Sequence, residues 1–343
     1  SKGKHDQVDM LHGPLLGKLI LFALALALSS ILQQLFNAVD IAVLGQFATS
    51  QDQAAVGCTS AVINMFLNLF LGISVGANVV IATYIGQRDK EKVQASVHTA
   101  MLIARISGFV MMLVGFVTAQ PILELIQTPE SVLDKAVLYL LIYFAGMPFI
   151  MVYNFGAAIL RSVGDTKRPL VYLTAAGILN VILNLFFVIV CKMAADGVAL
   201  ASVISQYLSA VLILIHMVRL QDSCRVEGKR LRLHGGEAGR ILGLGIPAGI
   251  QHMIFAVANL FIQVGINSFD STVVSGNSAA VNVDNVIYNV MAAFYTACST
   301  FMGQNWGAGK KDRMMKSYYI SLGYSFAIAA VLGAAFLLCG EPF

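Results

Sequence analysis

The chain has 343 residues, 58% of them hydrophobic and 12% charged, with a formal net charge of +4 and a mean hydropathy of +0.78. A soluble domain carries about 25% charged residues, so this surface is built for lipid, and the expected class is an all-α, polytopic membrane protein. The five cysteines lack C-x-x-C spacing, which argues against a metal centre or a disulfide framework.

Apolar periodicity predicts nine spans, at about 14–47, 54–84, 95–119, 132–159, 169–191, 196–218, 238–266, 278–306 and 316–340. The first opens on "LILFALALALSS", which looks like a signal peptide, but the apolar run continues to Ala48 and is too long to be one. Its second half, "LQQLFNAVDIAVLGQF" (32–47), contains Asp40. Gln33, Asn37 and Asp40 lie at i, i+4 and i+7, on one helical face, and that face cannot be turned to lipid. The second span carries Asn64 and Asn68. The third carries Arg105, read as an interhelical partner. The fifth carries Asn180 and Asn184, and the seventh carries His252, read as a satisfied core histidine. The eighth holds Asp284, Asn285 and Asn289, and Asp284 is the one other acid well inside a span. The "GQNWGAGK" that follows lacks phosphate-loop spacing and a preceding strand, and reads as a turn.

Charge fixes the direction. With the N-terminus in the cytoplasm, all Lys and Arg except Arg105, Lys135 and Lys192 fall on inner segments. The basic clusters are then orientation signals, and no nucleic-acid partner is needed.

A shift of about 221 residues places the sequence on itself. "INMFLN" (63–68) meets "DNVIYN" (284–289), and "GQRDKEK" (86–92) meets "GAGKKDR" (307–313). Six helices separate the copies, so both run the same way through the membrane. The predicted organisation is a six-helix lobe over 1–218, a cytoplasmic linker over 219–237, and a partial second lobe of three helices over 238–343.

Five stretches in order, "GPLLGKLILFALALALSSILQQLFNAVDIAVLGQF", "VGANVVIATYIGQRDKEK", "RSVGDTKRPL", "INSFDSTVVSGNSAAVNVDN" and "TFMGQNWGAGKKDRM", resemble the multidrug and toxic compound extrusion family, most closely its DinF-like branch. The resemblance implies two six-helix lobes around a central cavity. Three helices of the second lobe would then lie beyond this chain. It also implies export of organic compounds driven by a proton or sodium gradient. Carried over residue by residue, it places the first-helix acid at Asp40, the fifth-helix pair at Asn180 and Asn184, and a sixth-helix hydroxyl at Ser202. The chain departs from the family's pattern at three positions. Asn184 stands where an acid is usual, Ala25 where a first-helix proline is common, and Phe255 where the sodium-coupled branch carries Glu.

These residues set the functional expectation. Asp40 is the proton-coupling carboxylate, because removing a carboxylate from water penalises its charged form. Gln33, Asn37, Asn180, Asn184 and Ser202 form a cation and substrate cavity in the first lobe, and Asp284, Asn285 and Asn289 form its counterpart in the second. The activity expected is proton-coupled antiport of cationic, amphipathic compounds across the plasma membrane, by a monomer without bound cofactor or metal, with sodium as an alternative ion. The competing readings are a structural role for Asp40, a lipid-linked precursor flippase, and a membrane enzyme. The last would need clustered His, Asp or Cys groups at one interface, and the sequence has none.

Overall fold

The structure, a computed structural model, describes residues 7–266, 268–269 and 271–339, and among these it is helical with no strand. Ten α-helices follow one another: α1 (Leu15–Phe47), α2 (Ser50–Gly86), α3 (Lys90–Leu125), α4 (Glu130–Ala145), α5 (Met147–Ser162), α6 (Lys167–Leu185), α7 (Ala195–Arg219), α8 (Gly235–Ile266), α9 (Ser271–Gly307) and α10 (Lys311–Leu338). The fourth predicted span is a pair, α4 and α5, bent by 46° at Gly146. Pro148, at the start of α5, has no backbone N–H to continue the ladder, so the helix breaks just before it.

Seven helices, and the α4–α5 pair as an eighth, are long and apolar enough to cross a membrane. Among the described residues, each of the nine predicted spans corresponds to a helix or, for the fourth, to the bent pair, and α9 alone falls short of that apolarity. It has the length, 37 residues, but its first half carries Asn277, Asn282, Asp284, Asn285 and Asn289. It packs against α1, α2 and α10. Outward faces elsewhere are apolar, with Leu21, Leu28, Leu113, Val117 and Phe326 all exposed, as lipid contact requires.

The internal repeat extends to the element boundaries. α2 runs Ser50–Gly86 and α9 runs Ser271–Gly307, both ends offset by 221, and α3 and α10 begin at Lys90 and Lys311 with the same offset.

One end of the bundle gathers the basic turns, and in the half of the bundle toward it α2 and α8 meet closely. Gly72 of α2 faces Gly249 of α8 so tightly that a Cβ would overlap the Gly249 backbone, and a Cβ on Gly76 would lie 2.7 Å from the nitrogen of Gly245. Small residues let helix backbones touch where lipid removes the hydrophobic drive for packing. Just beyond this seam, Asn78 Nδ2 donates to the Ala158 carbonyl (2.9 Å), and Thr300 Oγ1 donates to Asn78 Oδ1 (2.8 Å). Gln304 Nε2 donates to the Ser162 carbonyl at 2.6 Å. The linker folds over the start of α3, with the Glu227 amide on His98 Nε2 (3.0 Å) and the His234 amide on Thr99 Oγ1 (3.2 Å).

An N-terminal strap closes the same end. The Val8 amide donates to the Gly164 carbonyl (3.0 Å), and buried Met10 packs in a cluster with Phe22, Phe294 and Phe301. The Met10 carbonyl accepts from Asn305 Nδ2 (3.2 Å) and Arg313 Nε (3.0 Å), and the Leu11 carbonyl accepts from Lys310 Nζ (2.7 Å).

Candidate functional site

α1 and α6 run side by side in the same direction, and Gly177 sets how close they come. A Cβ there would overlap the Phe36 ring, so glycine seats the aromatic ring and draws the helices together. One turn further along, Asp40 of α1 meets Asn180 and Asn184 of α6. All three are buried, Asp40 at 7% exposure. Asn180 Nδ2 donates to Asp40 Oδ1 at 3.0 Å, and Asn184 Nδ2 donates to the same oxygen. The amide oxygens of both asparagines are buried without a hydrogen-bond partner among the described residues. Immediately after α6, residues Phe186–Val190 widen into a π-turn, a form that recurs at functional sites.

Asp40 opens on a cavity of about 340 Å³ lined by Gln33, Phe36, Asn37, Asn64, Asn68, Tyr139, Tyr143, Asn154, Asn180, Ser202, Gln206 and Asn289, among others. The predicted face of α1 is therefore turned inward, with Gln33, Asn37 and Asp40 together on the wall, Asn180 beside Asp40, and Ser202 also in the lining. Asn184 lies behind the wall, on Asp40. Of the three residues expected on the second half, only Asn289 lines this space. Asp284 and Asn285 are exposed and outside the lining, and the Asn285 carbonyl serves as acceptor for Asn289 Nδ2 (2.7 Å).

A second compartment of about 250 Å³ adjoins the first, sharing Gln33, Asn68, Tyr153, Asn154 and Asn289, and runs toward the basic end past Ser29, His252, Tyr288 and Thr296 to Arg161. His252, expected to be a core residue, lines this compartment instead, with Nδ1 3.5 Å from the Tyr288 hydroxyl. Phe255 stacks on Tyr288 with ring centroids 5.7 Å apart.

Arg105 corrects another expectation. It is exposed on α3 and makes no hydrogen bond or ion pair among the described residues. A long aliphatic stem can lie along apolar surface while the guanidinium reaches polar surroundings, so position within a helix does not require an interhelical partner.

Sequence reasoning missed Tyr139 and Tyr143 beside Asp40, stacked at 6.1 Å. Their i, i+4 spacing on α4 was the available signal. Arg161 was counted as an orientation charge, although it faces the cavity.

Comparison with known proteins gives the context for this geometry. The family model MatE matches residues 25–186 and 247–343, two stretches that begin at corresponding points of the repeat. The chain is similar to the probable multidrug resistance protein YpnP of Bacillus subtilis (strain 168), 29% identical over 89% of this chain and 68% of that protein. It is also similar to a protein named FAD transporter from Shewanella oneidensis, 23% identical over 90% of this chain and 69% of that one. In fold it resembles a solved outward-facing multidrug resistance MATE family transporter of the MOP superfamily, with a TM-score of 0.90 at 20% identity, covering 97% of this chain and 74% of that one.

Proposed function

The chain belongs to the MatE family of multidrug efflux transporters, a family of transporters and not of enzymes, and from that premise we propose a proton-coupled antiporter that exports cationic, amphipathic organic compounds. In this reading the protein lies in the plasma membrane with its N-terminus and basic end in the cytoplasm. Residues 1–218 form one lobe, and 238–343 belong to a second. No bound cofactor takes part; the driving force is the transmembrane proton gradient.

The single observation that carries the proposal is Asp40, an acid buried in the apolar zone, facing a cavity and held by two amide donors on a neighbouring helix. A proton arriving from the open side neutralises Asp40, weakens its hold on a cationic cargo and loosens the grip of Asn180 and Asn184. α1 is then free to repack against α6. Loss of the proton to the less acidic side restores the cargo site. A proton shifts such a balance only through its different affinity for the two conformations. Phe255, standing where a sodium-coupled pattern has an acid, supports proton over sodium.

The test is efflux of a cationic dye from cells expressing the full-length protein, with the proton and sodium gradients collapsed separately. Efflux should stop when the proton gradient is removed, and Asp40→Asn at matched membrane expression should lose gradient-driven export. Wild-type rates in Asp40→Asn would make Asp40 a structural residue. Efflux that needs external sodium and ignores the proton gradient would overturn the choice of ion.

A further inference from the structure

Asp40 is not the only fixed charge on the cavity wall. At the opposite end of the paired compartments stands Arg161, in the last turn of α5, and it is the one fixed charge among the described residues lining that compartment. Its state is unlike that of other cations toward the basic end. Arg168 is paired with Asp165 at 2.9 Å, Arg240 bonds the Tyr84 hydroxyl, and Arg313 is spent on the Met10 and Gly13 carbonyls. The Arg161 side chain makes no hydrogen bond and no ion pair among the described residues, although it is partly buried and lies next to the sealed layer formed by Gln304 and Ser162. The tyrosine beside it is already engaged, since the Tyr153 hydroxyl donates to the Pro169 carbonyl at 2.8 Å.

A guanidinium has five N–H donors in a planar fork that matches a carboxylate in a bidentate way. Leaving such a charge unpaired away from bulk water is costly, and an ionisable group kept inside a membrane protein marks a pathway for ligand more often than a packing role. The walls leading to Arg161 carry aromatic and apolar surface from Tyr288, Tyr295, Leu26 and Leu71.

We propose that Arg161 is an oxyanion subsite of the cavity, and that the cargo it accepts is an aromatic compound bearing a carboxylate. The subsite lies at the sealed end and Asp40 at the far end of the paired compartments, so an acid held by Arg161 is kept apart from the Asp40 carboxylate. This deepens the transport reading and rests on it. A role confined to the end of α5, where any cation complements the helix C-terminus, makes a different prediction, because lysine would serve there as well as arginine.

The experiment uses two dyes that share one cationic xanthene ring system. Rhodamine 110 has a free carboxylate, and rhodamine 123 is its methyl ester. Fluorescence anisotropy on the full-length protein in neutral detergent should show the acid binding about tenfold more tightly than the ester, a ratio equal to about 1.4 kcal/mol. Arg161→Met should abolish that preference and leave ester binding in place, while Arg161→Lys should keep only part of it, for want of the fork. If Arg161→Met does not fold, Arg161→Gln serves the same purpose. An acid that binds no more tightly than the ester, or a preference that survives Arg161→Met or Arg161→Gln, overturns the subsite. Ester binding that persists in those cases leaves the export reading standing. Failure of the wild type to bind either dye counts against both.

Discussion

The two ends of the bundle are packed on different terms. At the basic end α2 meets α8 backbone to backbone through Gly72–Gly249 and Gly76–Gly245, with Asn78, Thr300 and Gln304 pinned across the helices just beyond. At the other end the wall is made of side chains around open space, and Asp40 is held by amides on a single neighbouring helix. Tight glycine contacts have little room for adjustment; a small cluster of amides around an acid can rearrange when the acid changes charge. The difference suggests a division of labour, in which one end is a clasp and the other a trigger.

The clasp offers the largest effect. Gly76→Leu places a side chain where the α8 backbone lies, and overpacking costs about 1–3 kcal/mol and occasionally more. In a background without native cysteines, a cysteine at Ala292 should label at least tenfold faster with an impermeant maleimide added from the basic side. Unchanged labelling would mean that the seam does not seal the cavity. Asn78→Val is next. It removes both halves of the α2–α5 and α2–α9 bridge, and loss of buried hydrogen-bond partners costs about 1–3 kcal/mol. Thermal unfolding in detergent should fall by several degrees, and adding Thr300→Val should cost less than it does alone, because the two groups act as a unit.

At the trigger end, Gly177→Ala pushes the Phe36 ring off α6 without touching a polar group. Proton-driven dye efflux should fall while the amount of folded protein stays the same. Equal efflux would show that the α1–α6 spacing does not set the Asp40 contacts. The smallest effect is expected for Lys135→Met. Lys135 is 42% exposed and pairs at 3.0 Å with Asp52, whose side chain is buried; the exposed ammonium keeps the pair to about 1 kcal/mol. Asp52 also caps α2 through Thr49, so unfolding should shift by no more than a degree or two.

Much of the fold was legible because hydropathy and charge report directly on lipid. The repeat placed α2 and α9 in register to the residue, and the inward face of α1 followed from the spacing of Gln33, Asn37 and Asp40. Three features were not legible, each for a physical reason. The bend at Gly146 lies inside a continuous apolar run, and apolarity does not register a broken ladder. The burial of α9 is uneven, with Ala293, Phe294, Ala297 and Phe301 of its second half in the core while Asp284 and Asn285 of its first half are exposed, and that division depends on neighbours that only the fold supplies. Arg161 and Arg105 exchanged roles for a related reason. A cation counted toward topology can also face a cavity, and one read as an interhelical contact can lie on an outer surface. Composition states how much charge a helix carries but not which neighbour it meets.

The strap at the N-terminus carries a consequence for how the molecule is made. Met10, Leu11 and Gly13 find their partners in Asn305, Lys310 and Arg313, about 300 residues further along the chain. Synthesis proceeds at about 5–20 residues per second, so Met10, Leu11 and Gly13 wait roughly 15–60 s for those side chains to emerge. The strap thus settles in two stages: the Val8–Gly164 contact can form once α5 has been made, whereas the contacts of Met10, Leu11 and Gly13 wait for the end of α9 and the start of α10.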